Sequence, residues 1–175
     1  MNTNWRISTA AGILIAAYFV PAWLKVAFGI MVSPIHALFD RPNIAIGVFL
    51  SDHFHLGAEE AIRIAWLLAL SKLTVVAFFV VFVVLAARRS IRATGGCDEA
   101  LAIALTLGSV ISFASMILAA HGGEVQALRL HATELLLLVG TAIVMLFERP
   151  PVPAQAQERP SRVSAYAVER FPEHV

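Results

Sequence analysis

A chain of 175 residues, 59% of them hydrophobic and 14% charged, with a mean hydropathy of +0.78, is far too apolar for a water-soluble domain. Thirteen Lys and Arg against twelve Asp and Glu leave a net charge of +1, which gives no basic field and argues against nucleic acid as a partner. A single cysteine, Cys97, excludes an internal disulfide, a dithiol redox pair and a thiolate metal cage.

What remains is a small integral membrane protein in contact with the lipid bilayer. Apolar stretches of about 20 residues, the length that crosses a hydrocarbon core of about 30 Å, occur at roughly 8–31, 61–87, 100–120 and 130–147. The expected fold is therefore all-α, a four-helix membrane bundle over 1–148. The first stretch follows Arg6 as a signal peptide would, but its apolar run is too long, and Pro21, Trp23 and Lys25 stand where a small-residue cleavage site belongs. It reads as an uncleaved helix, in which Pro21 frees the carbonyl of Ala17 and favours a kink. Tyr18, Ala22, Lys25 and Gly29 form a small, polar face suited to the bundle interior.

The first connection, 32–60, contains two apolar pieces, Pro34 to Phe39 and Asn43 to Leu50, split by Asp40, Arg41 and Pro42. Short helices lying on the outer membrane surface are expected there. Arg6, the trio Arg88, Arg89 and Arg92, and the tail residues Arg149, Arg159 and Arg162 place both termini and the middle connection on the cytoplasmic side. This is the orientation of a multi-pass protein of a bacterial-type inner membrane. Trp5 and Trp66 read as interface anchors. The tail, 149–175, with Pro150, Pro151, Pro153 and Pro160, is expected to be disordered.

The only two lysines, Lys25 and Lys72, both fall inside apolar spans, while the flanks use arginine. Ionisable groups at membrane depth are costly and normally face the bundle interior with a partner. At 1.5 Å per residue, Lys25 lies about 10 Å below the outer end of the first helix and Glu134 about 8 Å below Arg129, so the two are expected to pair. Lys72 is deeper, about 14 Å along the second helix from Arg63. Ser109, Ser112 and Ser115, spaced at i, i+3 and i+6 on the third helix, could solvate its ammonium and line a polar pathway. The bland alternative for the serines is packing, since Ala104, Gly108 and Ser112 also form a small-xxx-small ridge.

Five of the six histidines, His36, His53, His55, His121 and His131, fall at or near the outer side, with Asp40, Asp52, Glu59, Glu60, Glu124 and Glu134. His53 and His55, with His36, are the candidate metal ligands, with no Cys-rich or Glu-x-x-His constellation beside them. A buried b-type haem would need two histidines at equal depth. His121 and His131 are the only helical candidates, and both lie too near the surface to cover one well. His131 and Glu134, at i and i+3, share one face of the fourth helix and suit proton exchange or a quinone site. No nucleophile elbow, phosphate loop, zinc-protease helix or nucleotide fingerprint occurs, which speaks against an autonomous enzyme.

Three features, Trp23-Leu24-Lys25-Val26 near the outer end of the first helix, a third helix ending in His121 and a fourth carrying Glu134-Leu135-Leu136-Leu137-Leu138, give a layout that resembles the small DoxX-like (DoxX/DoxD, MauE-type) four-helix membrane proteins. The resemblance covers about residues 8–147. It implies an inner-membrane accessory of an oxidoreductase system, in some members quinone-linked, with Lys25, His121 and Glu134 as the positions carried over. The leading expectation is thus a subunit that docks a redox partner, membrane or periplasmic, at its outer face. The alternatives are a small proton-coupled transporter or exporter using Lys72 and the serine face, and a structural or assembly protein, either of them compatible with a homo-oligomer.

Overall fold

The computed structural model describes residues 6–54, 57–88, 90–91 and 95–148. Among these residues every regular element is helical. The elements are α1 (Ile7–Val32), α2 (Pro34–Leu38), α3 (Ile44–Phe54), α4 (Ala58–Ala87), α5 (Asp98–His121) and α6 (Val125–Phe147). The helices α1, α4, α5 and α6 are long and apolar enough to cross a membrane. Their 26, 30, 24 and 23 residues give lengths of about 35–45 Å at 1.5 Å per residue. They extend the expected spans by up to five residues at an end.

The helix ends follow from local chemistry. Gly57 precedes α4, whose first turn carries Glu59 and Glu60, and α5 opens with Asp98 and Glu99. Carboxylates at these ends complement the helix dipole. The α5–α6 turn is tight because Gly123 takes φ +69°, which lets the Glu124 N–H donate back to the Ala119 carbonyl at 3.0 Å in a Schellman-type termination.

The four long helices form a bundle in which α1 packs on α4, α4 on α5, α5 on α6, and α6 closes back on α1. In the half formed by the start of α1 and the end of α6 the core is mostly apolar, with Ser8, Thr9 and Thr141 as its buried polar residues. Phe19, Phe79, Phe82, Leu101, Leu105 and Leu138 are fully buried there, with the Phe19 and Phe79 rings stacked at 6.0 Å. At that terminal end Arg6 bonds Asp98 at 2.5 Å and lies 3.6 Å from Glu148. Glu148 in turn accepts the Ile7 and Ser8 backbone N–H groups at 3.0 and 2.9 Å. Glu148, at the end of α6, thus caps the first helix, satisfying donors that α1 cannot satisfy itself.

The opposite, loop end differs from expectation in one respect. α2 and α3 exist, but they pack inward, α2 on α1 and α4 and α3 on α5, with Asn43 buried at the crossover between them. The face of α1 turned into the bundle is also not the small polar one. Tyr18 and Lys25 are exposed, and the buried stripe runs from Ser8, Thr9 and Gly12 through Ile15, Ala16, Phe19 and Trp23 to Ala27 and Ile30, because the bulky aromatics contribute the larger apolar area. Helix α1 continues through Pro21, which faces outward. Trp5, Arg89, Arg92 and the tail 149–175 lie outside the described residues.

Candidate functional site

Apart from Ser8, Thr9 and Thr141, the polar side chains on the buried stripes of the four long helices meet in the loop half of the bundle. On α4 the stripe runs Ala65, Ala69, Lys72, Val75, Val76 and Phe79, so two alanines leave room beside Lys72. On α5, Gly108, Ser112 and Ser115 are buried, and on α6 His131, Glu134 and Leu138. α1 contributes Trp23, and the α2–α3 crossover contributes Pro42 and Asn43.

Glu134, 6% exposed, is the centre. Its Oε1 accepts the Trp23 indole Nε1–H at 3.1 Å, and its Oε2 accepts the Ser112 hydroxyl at 3.3 Å and lies 3.0 Å from His131 Nδ1. The other imidazole nitrogen, Nε2, lies 3.0 Å from the Pro42 carbonyl oxygen. Lys72, 2% exposed, donates from Nζ to Asn43 Oδ1 at 3.2 Å and sits 5.4 Å from the centroid of the Trp23 ring, within cation–π range. Asn43 is itself fixed, its Nδ2 donating to the Ala37 carbonyl at 2.9 Å. One indole therefore links the ammonium, over its face, to the carboxylate, at its N–H. These are the satisfied partnerships that make charges tolerable away from water.

The imidazole contacts fix a proton count. A carbonyl only accepts, so Nε2 carries a hydrogen. The Nδ1 to Oε2 contact then holds one further proton, as imidazolium beside carboxylate or as neutral imidazole beside carboxylic acid. Such a pair is a group able to hold and exchange a proton.

The expected pairing of Lys25 with Glu134 does not form. Lys25 is exposed, because two residues along a helix turn it about 200° from buried Trp23, and Glu134 is held instead by Trp23, Ser112 and His131. Lys72 in turn bonds Asn43 and not the serines. Of these, Ser112 serves Glu134, Ser115 is buried on the same face and Ser109 is half-buried. His121 is exposed at the end of α5, so of the three positions the resemblance carries over, only Glu134 is in the network. His36 is exposed on α2, His53 lies on α3, and His55 is outside the described residues. Among the described residues no three His, Cys, Asp or Glu side chains converge in a way that could hold a metal. Haem ligation by His131 is opposed by its geometry, since both ring nitrogens are already engaged.

Comparison of the chain with family models, with curated proteins and with solved structures finds no match. The site is therefore interpreted from its own chemistry. Sequence reasoning missed Trp23, Pro42 and Asn43. The one signal for Trp23 is its position well inside a span, away from the interface where tryptophan usually sits. Asn43 carries a weaker one, as the one amide between two apolar pieces of the first connection. A backbone carbonyl such as that of Pro42 leaves no trace in a sequence.

Nor do the residues fit a quinone inside the bundle. Imidazole and ammonium are suitable donors for a quinone oxygen, but His131 has no free nitrogen, Lys72 is almost wholly enclosed, and Lys25 is turned away.

Proposed function

We propose that this chain is an integral membrane accessory subunit of a redox system, docking a membrane or periplasmic partner at its loop end and exchanging a proton there through His131 and Glu134. The observation that carries the reading is the His131 bridge between the Glu134 carboxylate and the Pro42 carbonyl, at 3.0 Å on both sides. Redox chemistry at a membrane surface moves protons together with electrons, and a buried carboxylate–imidazole pair is a group able to hold one. In this reading any quinone belongs to the partner. The arginine distribution turns the loop end outward from a bacterial-type inner membrane, and the DoxX-like layout supplies the link to oxidoreductase systems.

A transport pathway along Lys72, Ser109, Ser112 and Ser115 has less support. Beyond mid-bundle the buried polar side chains among the described residues are Thr141, Thr9 and Ser8, none of them charged, and the fully buried Phe79, Phe82, Leu101 and Leu105 dominate the core there.

Purification from the native membrane in mild detergent, followed by mass spectrometry and an optical spectrum, tests the reading. A redox protein is expected to co-purify, and its activity is expected to fall about 10²-fold or more, the usual contribution of a positioned proton-transfer group, when His131→Gln or Glu134→Gln is introduced. A homo-oligomer without a redox partner, or full partner activity with both variants, would overturn it.

A further inference from the structure

Two adjacent residues of the α2–α3 crossover are each held by an ionisable side chain from a different long helix. The Pro42 carbonyl accepts from His131 on α6, and the Asn43 carboxamide accepts from Lys72 on α4. Asn43 also organises the start of α3, its backbone carbonyl accepting the N–H groups of Ile46 and Gly47 at 2.9 and 3.1 Å. The crossover is thus pinned to the bundle at one dipeptide, and the segment it pins covers the loop end of the polar network.

The two pins respond differently to proton loss. A lysine side chain has N–H donors whether charged or neutral, so the Asn43 contact survives in both states. The His131 contact does not. With its full complement of protons the pair supplies a donor to each of two acceptors, Nε2–H to Pro42 and one proton between Nδ1 and Glu134. When the Nε2–H bond breaks, its electron pair stays on the nitrogen and the proton passes to water at the loop end. One hydrogen then remains for two acceptors. A hydrogen bond to a carboxylate is roughly twice as strong as one to a neutral carbonyl, so that hydrogen stays at Nδ1 facing Glu134. The Nε2 lone pair is left opposite the Pro42 oxygen, where the contact is repulsive.

We infer that the Pro42–Asn43 crossover is a proton-controlled latch, closed over the polar network while His131 and Glu134 hold both protons and released from the bundle when one is lost. The inference rests on the proton-exchanging reading of this pair and adds its consequence, a change at the surface where a partner would dock. Among the described residues the charged group facing the pair is Lys72, from α4. α1 brings Trp23 and α5 brings Ser112 and Ser115, none of which changes charge in the range of interest. Asp40 and Arg41, beside Pro42 on the crossover, are exposed.

Hydrogen–deuterium exchange of the full chain in nanodiscs, followed from about pH 5 to pH 8, tests this directly. With each rate divided by its intrinsic value at that pH, exchange over residues 34–54 is expected to rise by about tenfold across the range, the factor that loss of one hydrogen bond to a charged donor gives. Exchange in α5 and α6 should stay flat. His131→Gln removes the imidazole that bridges Glu134 and Pro42 and should give a flat profile. Glu134→Gln can donate its amide N–H to Nδ1, which keeps the hydrogen on Nε2, so its crossover should stay protected at the upper end of the range.

A flat wild-type profile, or a Glu134→Gln profile that rises as the wild type does, would overturn the latch. Because the exchange needs no partner, its outcome is separate from the fate of the accessory-subunit reading. Partner activity lost in both variants beside a flat wild-type profile would remove the latch and keep that reading. A titrating crossover beside unchanged partner activity would do the reverse.

Discussion

Trp23 on α1 and Glu134 on α6, 111 positions apart in the chain, are joined inside the bundle by an indole N–H donated to the carboxylate at 3.1 Å. The same indole lies beneath the Lys72 ammonium and meets Phe19 edge-on at 5.3 Å, so one side chain couples the polar network to the apolar layer below it. Replacing Trp23 by Phe keeps most of the apolar surface and deletes the donor. A loss of about 1.5–3 kcal/mol is expected, the value of a hydrogen bond to a charged group, measured as thermal unfolding in detergent. Stability equal to wild type would show that Glu134 does not depend on the indole.

The two lysines should separate cleanly. Lys25 is exposed on α1, so Lys25→Met is expected to change stability by less than about 0.5 kcal/mol. Lys72→Met leaves the buried Asn43 oxygen without its donor and removes the positive charge near Glu134, with an expected loss of about 1.5–3 kcal/mol. Parallel unfolding curves for the two variants decide the matter. Equal effects would contradict the assignment of Lys72, and not Lys25, to the network.

At the terminal end, partial burial works to raise the Glu148 carboxyl, but its Ser8 contacts, the Arg6 guanidinium and the Ile7 N–H outweigh it and hold the group below its ordinary 4.5. A carboxylate depressed in the folded state contributes stability above its unfolded value and loses it as pH falls through the folded one. Wild-type stability is therefore expected to decline below about pH 4.5 more steeply than that of Glu148→Gln. At neutral pH the variant should be less stable by about 1 kcal/mol, the typical value of a helix cap. Identical acid profiles would show that the cap between α6 and α1 contributes nothing.

Glycines give a packing test. A methyl group at Gly108 would meet Leu138 at 3.2 Å, and one at Gly12 would meet the Phe82 ring at 2.8 Å, whereas at Gly140 it meets nothing within 4 Å. Gly12→Ala and Gly108→Ala are expected to lose about 1–3 kcal/mol through overpacking. Gly140→Ala should be neutral or gain up to about 1 kcal/mol from helix propensity. Detergent thermal-shift measurements on all three variants should reproduce that order.

The sequence by itself determined the number of spans, their bounds to within a few residues and the helical pieces of the first connection, because the length of an apolar run and the cost of exposing backbone to lipid act locally. It also marked Lys72, His131 and Glu134 as exceptional, since a titratable residue in an apolar run is conspicuous whatever the fold. Only the tertiary structure decided which of these groups meet. Matching depths made Lys25 the natural partner of Glu134, but depth leaves the rotation of each helix open, and α1 is turned by the burial of Phe19 and Trp23, which sends Lys25 outward. Of the remaining partners, the Asn43 amide and the Pro42 carbonyl are recruited by the inward packing of α2 and α3, and the Trp23 indole by the packing of α1 against α6. Their donors and acceptors acquire meaning only when the helices from which they come are side by side.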